Sequence, residues 1–194
     1  MYKRLLFGML LVSTALAMGQ APTSTVRRGP SEDFAASYQL SVKDTDTATG
    51  TGADISTTHY LSHHIGVRGE AEMQTIDKFN MTEYGARAGF VYGFRPLANV
   101  QPFAELLVGY ARTRSSWLQN SYKYDSGFSI LGGGGADIRI HRQWFLRTGA
   151  DVAQDSGSHW VLDSTAHTNG HNRFARVLVG LSFHPGDYAA RKDW

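Results

Sequence analysis

Residues 83–94 read E-Y-G-A-R-A-G-F-V-Y-G-F, and their alternation decides the fold. In an extended strand, successive side chains point to opposite faces. Tyr84, Ala86, Ala88, Phe90, Tyr92 and Phe94 therefore share one face, while Glu83, Gly85, Arg87, Gly89, Val91 and Gly93 share the other. One face is apolar and ends in aromatic rings; the other is polar, charged or small. A strand that turns its apolar face to lipid and its polar face to a lumen has this composition, with aromatics at the two interfaces.

Seven further segments of comparable length can be marked around it. The first, Phe34 to Lys43, places Phe34, Ala36, Tyr38, Leu40 and Val42 on one face. The second, Gly52 to Ser62, alternates poorly. The third, Gly66 to Ile76, sets Val67, Gly69, Ala71 and Met73 against Arg68, Glu70, Glu72 and Gln74. The fifth, Pro102 to Arg112, turns Ala104, Leu106, Val108 and Tyr110 outward and Glu105 inward. The sixth, Phe128 to Ile140, opposes Phe128, Ile130, Ile138 and Ile140 to Asp137 and Arg139. The seventh, Trp144 to Ala153, opposes Trp144, Leu146 and Val152 to Arg147 and Asp151. The eighth, Arg173 to Phe183, opposes Val177, Val179, Leu181 and Phe183 to Arg176 and Ser182. A tilted strand of about 9–11 residues crosses a bilayer's hydrocarbon, which suits these lengths. Short connections follow the second, fourth and sixth segments (His63-His64, Arg95 to Gln101, His141 to Gln143). Mostly longer polar ones follow the odd segments, notably Thr113 to Ser126 and Gln154 to Asn172. The expected fold is all-β, an eight-stranded antiparallel up-and-down transmembrane β-barrel with short turns and both termini on the periplasmic side.

The ends of the chain fit that address. M-Y-K-R-L-L-F-G-M-L-L-V-S-T-A-L-A combines a basic start, a short apolar stretch and a small-residue site at Ala15 to Ala17, the pattern of a cleaved secretory signal. The expected organisation is a signal peptide over 1–19, a polar leader over 20–33, a barrel over 34–183 and a short periplasmic tail over 184–194. The chain has no cysteine, which excludes a disulfide scaffold and cysteine-ligated metal. The formal charge is only +2, and Lys and Arg are dispersed among Asp and Glu, so a nucleic-acid partner is not expected.

Y-G-A-R-A-G-F-V-Y-G-F, Q-P-F-A-E-L-L-V-G-Y and the closing R-V-L-V-G-L-S-F resemble the strands of the small OmpA/OmpX-like outer-membrane barrels. The resemblance implies a cell outer membrane location, contact with outer-membrane lipid and lipopolysaccharide, and insertion by the barrel-assembly machinery, which reads the aromatic end of the last strand. Here H-P-G-D-Y-A-A-R-K-D-W follows Phe183, a departure from barrels that end on that residue.

The inward positions hold an expected lumen charge network: Arg68, Arg87, Arg139, Arg147 and Arg176 against Glu70, Glu72, Glu105, Asp137 and Asp151. Eight strands enclose a space that side chains fill, so these charges must pair or share water. Tyr38, Tyr84, Phe90, Tyr92, Phe94, Tyr110 and Phe183 are the expected lipid-facing aromatics. No enzymatic activity, cofactor or metal is expected. His159, His167 and His171 share the last long connection with Asp155 and Asp163, without the helical spacing that sets metal geometry. Ser156, Ser158 and His159 beside Asp155 lack the rigid support a nucleophile requires. Gly132 to Gly135 continue as strand on both sides and lack the helix and Lys of a phosphate cradle. Function then falls to the loops, where Trp117, Tyr122, Tyr124, Trp160, Val161 and Leu162 either offer contacts to a surface partner or lipopolysaccharide or pack the loops on the rim. The expected role is structural or surface-interacting. A narrow ion or small-solute channel is the alternative, and a soluble ligand-binding barrel the more distant one.

Overall fold

The computed structural model describes residues 32–43, 48–76, 81–115, 123–156, 159–160, 168–169 and 172–185. Eight long strands close into an antiparallel barrel: β1 (Glu32–Lys43), β2 (Thr49–Tyr60), β3 (Ile65–Ile76), β4 (Met81–Gly93), β5 (Val100–Ser115), β6 (Lys123–His141), β7 (Trp144–Ser156) and β10 (Asn172–Phe183). The short strands β8 (His159–Trp160) and β9 (Thr168–Asn169) pair with each other between β7 and β10. Each long strand pairs with its sequence neighbour among the eight, and β1 closes on β10 through Phe34↔Phe183 to Lys43↔Phe174.

The registers specify how the barrel closes. Paired residues can be followed from Gln39 through Gly52, Gln74, Glu83 and Thr113 to Asp125 on β6. In the other direction they run through Leu178 and Gly149 to Gly135, also on β6. The two paths arrive ten residues apart, and this stagger forces the strands to tilt steeply as the sheet closes.

Several boundaries differ from those expected. β2 starts at Thr49 rather than Gly52; threonines on both its faces, with Gly50, Gly52 and Ser56 on the inward one, hide the period. β5 and β6 run on to Ser115 and back to Lys123, absorbing residues assigned above to a long polar connection. Polar residues such as Thr113 continue a ladder once a partner strand lies beside them, whatever their hydropathy. The connections after β1 and β3 shrink to residues 44–48 and 77–80, no longer than the one between β4 and β5, so the loop asymmetry rests on the later connections. The last long connection is not wholly irregular, since β8 and β9 form a small hairpin within it.

The inside is not uniformly polar. Ile76, Met81, Leu107, Leu131, Ala153 and Phe174 point inward and form a buried apolar cluster with Ala48. Ala48, Ile76, Met81 and Phe174 come from strand ends or connections on the long-connection side, where hydrocarbon shares the lumen with the buried Gln74, Glu83 and Asp155. The expected charge network therefore fills only part of the lumen: a narrow barrel must be filled, and apolar side chains fill space without needing partners.

Candidate functional site: the filled lumen and the outer wall

Two charged layers lie in the lumen between the long-connection end and the short-turn mouth. In the first, Arg176 Nε donates to Asp151 Oδ1 at 2.6 Å, and Nη2 donates to Asp151 Oδ2 at 3.0 Å and to Glu70 Oε1 at 3.3 Å. Its Nη1 meets Glu72. Arg87 Nη1 pairs with the same Glu72 and lies 3.6 Å from Glu70, while Nε donates to Ser129 Oγ at 2.7 Å. Two guanidinium groups thus share two glutamates across β3, β4 and β10. The register makes this possible, since Glu70 is directly opposite Arg87 and Asp151 opposite Arg176. Gly85 gives the pair room: a Cβ there would stand 2.6 Å from the Glu72 carboxylate and 3.1 Å from Arg87 Nη1.

In the second layer, Arg68 pairs with Glu105 and donates from Nε to Thr58 Oγ1 at 2.8 Å. Arg147 grips Asp137 with two bonds of 2.8 Å, from Nε to Oδ1 and from Nη2 to Oδ2. The two guanidinium carbons lie 4.9 and 5.1 Å from the centroid of Phe103, whose ring is stacked against both cations. Gly135 makes space for that ring, because its Cβ would come 2.9 Å from Phe103 Cζ.

These layers contain nine of the ten residues expected in the lumen. Arg139 sits at the short-turn mouth, half-exposed, with its guanidinium over Phe145 at 5.1 Å. The charge count differs from the balanced set drawn above. Among the described residues nine carboxylates are buried against four arginines, the additional acids being Asp33, Asp54, Glu83 and Asp155. Three of them fall where segment boundaries or alternation were misjudged: Asp33 precedes the expected start, Asp155 follows an expected end, and Asp54 lies on the poorly alternating strand. Extending each strand's two-residue parity would have found them. Glu83 accepts from Gln74 Nε2 at 2.8 Å, and Gln74 Oε1 accepts from Ser41 at the same distance.

Outward, Tyr38, Tyr84, Phe90, Tyr92, Phe94 and Tyr110 are exposed on the wall, and Phe183 is half-exposed. At the short-turn end the rings pack on each other, Tyr92 against Phe94 at 5.0 Å and Trp144 against Phe183 at 5.1 Å. His64 is no bare turn residue: it stacks on Tyr92 at 5.6 Å, and its Nδ1 lies 2.8 Å from the Gly93 carbonyl. The long-connection end differs in chemistry. Arg112, Arg114 and Arg173 lie on the outward face there, and among the described residues no carboxylate shares that face at that end.

The other candidate groups do not converge. Asp155 points into the lumen, 3.9 Å from Arg87 Nη2, whereas His159 lies beyond the strand in β8; His167, His171 and Asp163 lie outside the described residues. Ser156 Oγ donates to the Phe128 carbonyl at 3.1 Å, and Ser158 lies outside the described residues. Gly132 to Gly135 are ordinary ladder positions in β6. Of the loop residues offered as contacts, Trp117, Tyr122, Val161 and Leu162 also lie outside the described residues, while Tyr124 belongs to β6 and Trp160 to β8.

No protein-family model matches the chain, and no curated protein matches it significantly. Similarity appears among solved structures. Neisserial surface protein A is 13% identical with a TM-score of 0.62, covering 79% of this chain and 96% of its own. The outer membrane protein OprG from Pseudomonas aeruginosa is 11% identical with a TM-score of 0.53, covering 80% and 96%. The N-terminal β-barrel domain of Pseudomonas aeruginosa OprF is 14% identical with a TM-score of 0.50, covering 80% and 100%. At such identities the likeness is one of fold: a closed, eight-stranded, antiparallel barrel of the kind found in small outer-membrane proteins.

Proposed function

We propose that the protein spans an outer membrane as a filled barrel and acts as a structural or surface-interacting element through its long connections. The observation that carries this reading is the inversion of the wall, with large hydrophobic side chains exposed outside and charged ones buried within. Water offers such a wall no compensation, whereas lipid does. On β4 the outward rings Tyr84 and Tyr92 are eight residues apart. At about 3.3 Å per residue and a tilt near 40° that separation spans roughly 20 Å along the axis, close to the apolar band of such barrels. Lipopolysaccharide is the proposed outer-leaflet neighbour, its phosphates meeting Arg112, Arg114 and Arg173. Insertion by the barrel-assembly machinery, and a surface partner at the loops, belong to the same proposal.

The channel reading gains nothing from the filled lumen. Ile76, Met81 and Phe174 crowd one side, the ion pairs fill the middle and Phe145 lies at the other mouth. The test is reconstitution into planar bilayers beside outer-membrane fractionation of cells. Membrane-bound protein without discrete conductance supports the filled barrel. Conductance steps that change on neutralising Glu105 or Arg87 would establish the channel instead.

A further inference from the structure

The short-turn mouth is closed by a side chain that belongs to no strand. His184 follows β10, is fully buried, and stacks on Phe145 with centroids 4.0 Å apart and planes at 18°. Its amide donates to the Gln143 carbonyl at 2.9 Å, and Gln143 Nε2 donates back to the Pro185 carbonyl at 3.0 Å. The chain beyond the last strand is thereby tied to the β6–β7 turn. Residue 184, the first of the expected short periplasmic tail, is thus fixed to the barrel.

Both imidazole nitrogens face oxygen. Nδ1 lies 3.6 Å from Asp33 Oδ1, and Nε2 lies 3.4 Å from Asp137 Oδ2 and 3.2 Å from Ser182 Oγ. Ser182 Oγ is itself 3.3 Å from Asp137 Oδ1. Among the described residues, the ionisable groups at this mouth are Asp33 from β1, Tyr60 from β2, Asp137 and Arg139 from β6 and Arg147 from β7, with His141 exposed at the end of β6 and Arg142 exposed in the turn that follows. Arg147 holds Asp137 and lies 3.9 Å from Asp33. A neutral imidazole has one N–H and one lone pair, so one of its nitrogens would turn a lone pair toward a carboxylate. Ser182 has a single proton and would have to choose between His184 and Asp137. The doubly protonated ring turns an N–H and its positive charge toward the carboxylate on each side and leaves the serine proton for Asp137.

We propose that His184 is a protonation latch: its imidazolium bridges Asp33 and Asp137, holds residues 184–185 in the mouth, and releases them when the proton leaves. The charged form is the one the fold binds, so the latch contributes fully at low pH and is lost as pH rises through its titration. The full-length protein in detergent micelles, labelled with nitrogen-15, tests this by NMR. The His184 ring should stay doubly protonated where a free imidazole is already neutral, with a midpoint roughly one unit or more above the ordinary imidazole value, a tenfold difference in proton affinity. Amide exchange at His184, taken relative to Leu131 at the same pH, should rise roughly tenfold across that midpoint. In His184→Gln the ratio should be high and independent of pH. A His184 ring that is neutral from about pH 5 to 8, or that titrates at the ordinary imidazole value, overturns the latch. An unchanged pH profile in His184→Gln overturns it equally.

Discussion

Within the lumen, a buried polar group stabilises or destabilises according to whether it has a partner. Arg87 is shared by Glu70 and Glu72, so Arg87→Ala leaves two buried carboxylates with reduced compensation. The expected loss is about 3–5 kcal/mol, the usual cost of breaking a buried pair from one side. It should appear as a lower denaturant midpoint in micelles, and an unchanged midpoint would contradict a packed ion pair. Gln39 presents the opposite case. It is fully buried, and neither of its amide atoms has a hydrogen-bond partner among the described residues. Gln39→Met keeps most of the volume and removes the orphaned polar atoms. Stability should therefore rise by about 1 kcal/mol, and a loss of that size would show that the amide is bonded. Backbone space makes a third prediction. Gly85→Val pushes methyl groups into the Glu72–Arg87 contact and should cost about 1–3 kcal/mol, as overpacking does.

At the scale of a strand, the same substitution has different consequences on the two faces. Leu106 lies near the middle of β5 and points outward, with Glu105 beside it pointing inward. Leu106→Arg in a bilayer should cost about 2–4 kcal/mol, the penalty for arginine at the midplane, and much less in a soluble amphipol that wets the wall. Equal costs in both media would place Leu106 away from lipid. Turns carry their own strain. Leu97 and Val100 exchange backbone hydrogen bonds of 2.8 and 3.0 Å around Ala98, which is held at a φ of 54°. This is the left-handed region, which costs an alanine roughly 1–2 kcal/mol. Ala98→Gly relieves that strain against a larger unfolded-state entropy, so the thermal midpoint should hold or rise. A clear fall would mean the turn relaxes in solution.

For the whole molecule, closure of the barrel and filling of its lumen go together. A ladder that returns from β10 to β1 leaves no free edge, and the stagger of ten residues sets a width that packed side chains occupy. Unboiled protein should therefore migrate faster than boiled protein in detergent gels, because the closed barrel resists unfolding by the detergent. Identical migration would argue against such a barrier. Deleting residues 157–171 should leave that shift intact, since the small β8–β9 hairpin pairs only with itself among the described residues. Loss of the shift would mean that the connection helps to hold the barrel closed.

The two-residue period in Tyr84 to Phe94, repeated along the chain, determined by itself that this protein is made of strands with one apolar and one charged face. An apolar face of that extent must be covered, and the strand number and lengths then suffice for a barrel. Parity also told which residues face inward, because it is a local property of extended backbone. Only the tertiary structure decided who meets whom. Arg87 shares Glu72 with Arg176 from the far end of the sequence, and Phe103 lies against both Arg68 and Arg147. These meetings depend on the closing register, which no single strand encodes. Strand ends followed the same division: Lys123 and Thr113 are polar, and became ladder only because a neighbour was there to bond them. His184 is the furthest case, a polar residue outside every strand, positioned by a mouth that β1, β6, β7 and β10 form only after closure.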